Sequence, residues 1–484
     1  MKTFTPPISP PVHAGFALLN GALCIVLRCC SALILMLFQA PLWAVPPCRI
    51  EVVEKGSGWP VPMVQLRTVH GVRFVADNAG YIAFDLPELI GRETWFDVVG
   101  HGYEVPADGF GNRGVRIRPK SGETVRIEVV RTCLARRLGR LTGAGLFGES
   151  QKLGSELDWA ESGVLGSDSL QLARHGDRLF WAWGDTLLAR YPLGIFHMTS
   201  ATTGLSPLTR FEPPLRMTLK YFRDGDGVVR GVAPMPGEGP TWLTGYVSLP
   251  QVEGPPRLVA SYMKIRPPME AYERGLCVWN ESLERFERHR VLWTQSTSAP
   301  TATPMPEGHP VRWSDAEGRD WVLFGNPLPT LRCPATFEAW QNTNTWEVLT
   351  PPSSLRAATG GERVVLHSGS IAWNEFRKRW VTVFMQNGGR PSAFGELWYA
   401  EALSPMGPWG PAVKVLTHDN YTFYNPRIHG EWVPSDSGIL LFEGTFTATF
   451  ADRPTPVGRH DYNQILYRLD LEDPRLRPAH VPSP

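Results

Sequence analysis

Glycine and proline punctuate this chain more tightly than any other feature, with 47 Gly and 45 Pro among 484 residues. Proline lacks a backbone donor and clashes inside helices, and glycine supplies the left-handed conformations that tight turns need. Between these punctuation marks lie short runs of apolar and aromatic residues. Leu179-Phe180-Trp181-Ala182-Trp183, Trp242 to Val247, Leu258 to Tyr262, Trp321 to Gly325, Trp380 to Phe384, Leu397 to Ala400, Gly438 to Phe442 and Ile465 to Tyr467 are all of strand length. The expectation is an all-β protein built of many short strands. At this length it divides into two or three domains.

Charge excludes one large class of partner. Lys and Arg number 48 against 47 Asp and Glu, so no basic excess exists to neutralise a phosphate backbone and nucleic acid is not expected as a ligand. Residues 1–44 read as a signal peptide. Lys2 opens the chain, Arg28 precedes the apolar run Cys29 to Phe38, and a small residue stands at Ala44. An uncleaved anchor over residues 14 to 44 is the alternative, against which Asn20 and Arg28 argue. The expected location is secreted, periplasmic or cell-surface, with no membrane span after cleavage. Four cysteines follow: Cys48, Cys133, Cys277 and Cys333. An oxidising compartment permits a Cys48–Cys133 and a Cys277–Cys333 bridge, and four buried thiols are the other reading.

Residues 46–135 alternate polar and apolar through Cys48 to Val53, Val72 to Val75, Tyr81 to Phe84, Val115 to Ile117 and Val125 to Val129. They read as a small β-sandwich. Val61 to Leu66, the turn Asp77 to Gly80, and Gly100-His101-Gly102-Tyr103-Glu104 resemble the transthyretin-like and carboxypeptidase-regulatory-like sandwiches, which serve as stability or docking modules. His101 is read as structural. Residues 136–160 read as a linker, a short basic helix leading into glycines, with Arg131, Arg136, Arg137 and Arg140 on a solvated face. Residues 161–472 carry the repeated strand clusters of a β-propeller, five blades by length. Residues 473–484 form a tail.

Two stretches carry candidate chemistry. Gly166-Ser167-Asp168-Ser169 and Trp183-Gly184-Asp185-Thr186 flank one hairpin, which places Asp168 and Asp185 at one end of the first blade. Gly395-Glu396-Leu397-Trp398-Tyr399-Ala400-Glu401 and Gly407-Pro408-Trp409 come later. In this order the motifs resemble the five-bladed glycoside hydrolases, including arabinanase- and xylosidase-like propellers and a set with endo-D-arabinofuranase members. The resemblance implies a first-blade aspartate as base or nucleophile and a later glutamate as general acid. It puts Asp168 in the first role, matches Asp185 to the second aspartate of the arabinofuranase-like set, and gives Glu396 the second role, with Glu443 as substitute. The intermediate aspartate of the arabinanase pattern is not evident. Paired carboxylates are what glycoside cleavage requires, one to protonate the leaving oxygen and one to serve the anomeric carbon.

Trp183, His367, His418, Asn425 and Glu443 are candidate substrate-binding residues beside them. The expected ligand is a polysaccharide or oligosaccharide, bound without a cofactor. A calcium ion in the channel is left open, with no ligands named. No Gly-x-Ser-x-Gly elbow, His-Glu-x-x-His or phosphate loop occurs. A non-catalytic carbohydrate-binding propeller with a docking sandwich is the alternative reading, and a structural surface protein the third. The sequence does not speak to oligomeric state.

Overall fold

The computed structural model describes residues 46–143, 148–155, 162–189, 191–295, 304–452 and 456–482, with residues 191–195 as backbone only. The expected signal peptide lies outside the described residues. Among the described residues, no helix is long and apolar enough to cross a membrane.

The chain is almost entirely strand, as the turn density requires. Two four-stranded sheets come first. One joins Tyr81–Phe84, Cys48–Glu54, Thr124–Arg131 and Tyr103–Glu104, and the other joins Arg73–Val75, Gln65–Thr68, Thr94–Val99 and Gly114–Ile117. Ile50, Val52, Ile82, Phe84, Ile127 and Val129 of the first sheet meet Leu66, Phe96 and Val98 of the second in one core. Alternation put those side chains on a common face, and the two faces bury each other.

Five larger antiparallel sheets follow in succession, the arrangement of a β-propeller. Their first long strands are Gln171–His175, Thr241–Leu249, Val311–Ser314, Arg363–Asn374 and Thr422–His429. A small three-stranded sheet, Val164–Ser167 with Thr186–Leu188 and Tyr191–Ile195, stands beside the first blade. The apolar clusters run between successive blades. Trp181, Trp183 and Tyr221 of the first pack with Leu441 and Leu466 of the fifth, and Phe180 and Ala182 pack with Tyr246, Tyr262 and Trp279 of the second.

The segment expected to be a linker is not one. Arg136–Arg140 is a strand, paired antiparallel with Asn463–Asp470 as the fourth strand of the last blade. Nor do its arginines form a solvated face. Arg137 is fully buried, and its guanidinium donates to the carbonyls of Pro62 at 2.9 Å, Gly100 at 3.0 Å and His101 at 3.1 Å. Glu54 accepts from Arg131 at 3.2 Å and from Arg136 at 2.9 Å. Asn78 exchanges two 2.9 Å hydrogen bonds with the backbone of Arg140, as a strand partner would. Gly139 makes room for it, since a Cβ there would lie 2.8 Å from the Asn78 side chain. These contacts join the sandwich to the propeller, and residues 47–484 form one compact unit.

The tail is likewise packed. Leu476 and Ala479 of the turn Pro474–Ala479 are buried, and Val481 accepts from Arg379 at 3.0 Å. The four cysteines are free and buried. Cys133 lies against the Thr417 carbonyl, and Cys277 and Cys333 sit in the cores of different blade pairs, so neither bridge exists.

Candidate functional site

The inner strands of the blades open at one end onto a cavity of ≈ 790 Å³. Every blade contributes to its lining, from Asp168 and Gln171 of the first through Trp242, His309 and His367 to Tyr424 and Asn425 of the fifth. Five of the ten non-glycine residues with positive φ among the described residues line it: Ser169, Met198, Met269, Asn425 and Tyr462. Left-handed backbone is costly for such residues, and its concentration here marks a region where the fold holds side chains against local preference.

Asp168 and Asp185 stand together at the wall of this cavity, as their flanking of one hairpin implied. The Gly184 amide donates to the Asp168 carbonyl at 2.8 Å, and the Asp168 amide to the Asp185 carbonyl at 3.3 Å. A Cβ on Gly184 would lie 2.1 Å from Asp168 Oδ1, so glycine is what lets the carboxyl lie against the turn. Tyr424 donates to Asp168 Oδ2 at 2.7 Å, and the Tyr462 phenol lies close to the same carboxyl at the cavity wall. Burial pushes the Asp168 carboxyl up to about 7, with the negative charge of Asp185 adding to the rise and the two phenols opposing it. Burial also raises Asp185, which is partly open to solvent and accepts a 3.4 Å hydrogen bond from Trp242.

A third aspartate joins them. Asp461 lines the cavity, accepts from the Ala448 amide at 2.6 Å, and is also raised by burial. Asn425 stands beside them, donating from Nδ2 to Ser169 Oγ at 2.8 Å, while its backbone amide donates to Ser368 Oγ at 3.2 Å. His367 lines the cavity beside Phe394, ring centroids 5.1 Å apart. His309 is buried at the wall, and its Nδ1 meets no hydrogen-bond partner. The remaining surface is largely apolar: Met198, Met263, Met269, Met385, Trp242 and Phe450.

The other sequence candidates are not brought here. Trp183 is buried in the blade core, stacked at 6.0 Å on Trp181, because its strand position faces the neighbouring blade. Glu396 is fully buried outside the cavity lining, accepting from the Ser392 amide at 3.3 Å and from Thr417 at 3.2 Å; it braces a loop. His418 donates from Nδ1 to the Gly395 carbonyl at 3.0 Å, accepts from the Tyr467 hydroxyl at 3.1 Å, and stacks on Phe423. Burial lowers it to about 3, which matches a neutral, satisfied core histidine.

Glu443 is buried behind the cavity, 2.9 Å from His429 Nε2. Arg427 donates to His429 Nδ1 at 3.1 Å, which leaves Nε2 to donate to Glu443. Burial raises Glu443 to about 8 and holds His429 well below its ordinary value, so the pair is neutral rather than an ion pair. No glutamate lines the cavity among the described residues. Among them, too, no three His, Cys, Asp or Glu side chains are grouped as metal ligands.

Tyr424 carried no role in the sequence reading, and the run Asp461-Tyr462-Asn463-Gln464 read equally as a polar contact for sugar or as the closure of the ring. Their signal was weak: each lies at the opening of a fifth-blade strand, in the runs Phe423 to Pro426 and Asp461 to Gln464.

No protein-family model matches the chain, and no curated protein sequence matches it. Solved structures overlap it loosely. An exo-1,5-α-L-arabinanase from a bovine ruminal metagenomic library shares 11% identity over 63% of this chain and 94% of its own, with a TM-score of 0.37. The Bacillus subtilis arabinanase Arb43A shares 11% over 63% and 96%, with a TM-score of 0.34. An exo-β-1,3-galactanase from Phanerochaete chrysosporium shares 9% over 63% and 61%, with a TM-score of 0.39. Overlaps this loose assign neither family nor activity.

Proposed function

We propose that this protein is an exported glycoside hydrolase whose acid–base pair is Asp168 and Asp185. One observation carries the reading: two half-buried carboxyls in unequal surroundings line one open cavity, Asp168 beside the phenols of Tyr424 and Tyr462 and Asp185 beside Trp242. Acid–base cleavage needs that inequality, because one group must hold a proton while its neighbour is ionised. Asp168, raised to about 7, is the acid. It delivers its proton to the glycosidic oxygen as the bond to the anomeric carbon breaks. Asp185, ionised, either takes a proton from the water that adds to that carbon or attacks the carbon itself, and the product's anomeric configuration separates the two. Asp461 and Asn425 supply hydrogen bonds to sugar hydroxyls. Trp242, Phe394 and Phe450 offer apolar faces to the sugar's C–H surfaces. The general acid assigned to Glu396 moves to the first blade in this reading.

Release of reducing sugar from plant, algal and bacterial polysaccharides tests it, with Asp168→Asn and Asp185→Asn in parallel. The expected loss of kcat in Asp168→Asn is about 10²–10⁴-fold, with the unfolding midpoint nearly unchanged. Binding of a polysaccharide without release by the wild type would replace hydrolysis with carbohydrate binding.

A further inference from the structure

Asp168 occupies an awkward position. Its half-buried carboxyl is pressed against Gly184, surroundings that favour the protonated acid. An acid held too firmly in that form gives up its proton reluctantly, because the carboxylate left behind is poorly stabilised. What opposes the burial arrives from the far end of the chain. Tyr424 precedes its aspartate partner's blade in space but follows it by 256 residues in sequence. Tyr462 enters from the turn before the strand Asn463–Asp470.

The backbone is shaped to bring them in. Tyr462 has φ +56°, a left-handed turn that lets Asp461 and Tyr462 both face the cavity. Its carbonyl lies so close to Gly166 that a Cβ there would sit 2.1 Å away. Asn463 then donates to the Leu165 carbonyl at 2.7 Å and Gln464 to the Ser167 carbonyl at 3.0 Å, which stitches the Tyr462 turn to the strand leading into Asp168. Both phenols are themselves held well above their ordinary value by burial and by the nearby aspartates, so they stay protonated and donate. A hydroxyl that donates to a carboxylate stabilises the ionised form selectively.

We propose that Tyr424 and Tyr462 are positioning residues that clamp the Asp168 carboxyl against Gly184 and keep it able to shed its proton. The acid–base consequence rests on the glycosidase reading above, whereas the clamp itself does not. Gly166 and Gly184 are its two seats, one for the Tyr462 carbonyl and one for Asp168 Oδ1.

Two readouts on Tyr424→Phe, Tyr462→Phe and the double variant test this. The first is the titration of the Asp168 carboxyl followed by carbon-13 NMR in protein labelled at the aspartate side-chain carboxyl, the resonance being identified by its loss in Asp168→Asn. Each lost phenol is expected to raise the midpoint by about one pH unit, from the worth of a hydrogen bond to a charged group. The second is the pH dependence of kcat, whose high-pH limb should move up with the midpoint. Gly166→Ala, which leaves both phenols present but displaces Tyr462, should shift the midpoint in the same direction. An unchanged midpoint in the double variant overturns the clamp. A shifted midpoint in a protein that hydrolyses no glycoside upholds the clamp and removes the glycosidase reading.

Discussion

The cavity and the junction between sandwich and propeller both bury titratable side chains, yet only one turns several carboxyls towards open space. At the junction, Arg137 spends its guanidinium on three carbonyls and His418 satisfies both ring nitrogens. Of the charges lining the smaller cavity there, ≈ 440 Å³, Arg113 meets Glu104 at 3.2 Å, and Arg67 meets Asp97 outside the lining at 3.1 Å. At the mouth of the inner strands, Asp168, Asp185 and Asp461 face open space. Unpartnered ring nitrogens occur in both regions, on His309 here and on His460 at the junction. Displaced proton affinity is common to both regions. The difference lies in whether polar groups close on one another or converge on room for a ligand.

The sharpest way to break this contrast is Arg137→Met. Three buried carbonyls would lose their donor, and the expected cost is about 3–5 kcal/mol in chemical denaturation, with turnover per folded molecule unchanged. A loss of turnover without a loss of stability would erase the distinction. Gly184→Ala probes the other region. It should leave the unfolding midpoint within a few degrees while lowering kcat about 100-fold, because its Cβ displaces the Asp168 carboxyl.

Proton linkage sets the regions against each other. His418 and His460 at the junction, and His309 at the cavity wall, are lowered to about 3 from an unfolded value of 6.5. The unfolded chain binds more protons there, so stability falls as pH drops below about 6.5. Asp168 and Glu443 are raised to about 7 and about 8. The folded chain binds more protons there, so stability falls as pH rises from the ordinary carboxyl range towards about 8. Thermal unfolding across pH should therefore show a maximum near pH 6.5, and Glu443→Gln should flatten its alkaline side. The smallest effect belongs to Glu396→Gln: turnover within about twofold of wild type and a stability loss of about 1 kcal/mol, read by the same assays.

The strands were legible because their information is local. Leu179 to Trp183 and Trp380 to Phe384 are bounded by turn residues and fall inside Arg178–Trp183 and Arg379–Gln386. Asp168 and Asp185 were legible for the same reason, since one hairpin and its glycines place both. Arg136–Arg140 was not, because its sequence is arginine-rich and its partners lie more than 300 residues away. Glu396 misled because a motif's order along the chain does not say which way a side chain turns. Tyr424 and Tyr462 could not be assigned because their meaning depends on a carboxyl reached only through the closed ring.

That closure has a consequence for how the molecule comes into being. Arg136–Arg140 leaves the ribosome before any other blade strand, while its partner Asn463–Asp470 emerges after all of them. Throughout synthesis the first piece of the ring waits for the last. Asp168 waits as well, for Tyr424 and Tyr462 belong to the final blade. A nascent chain stopped short of that blade holds Asp168 without its phenols, so the surroundings of that carboxyl and the latch of the ring are completed together.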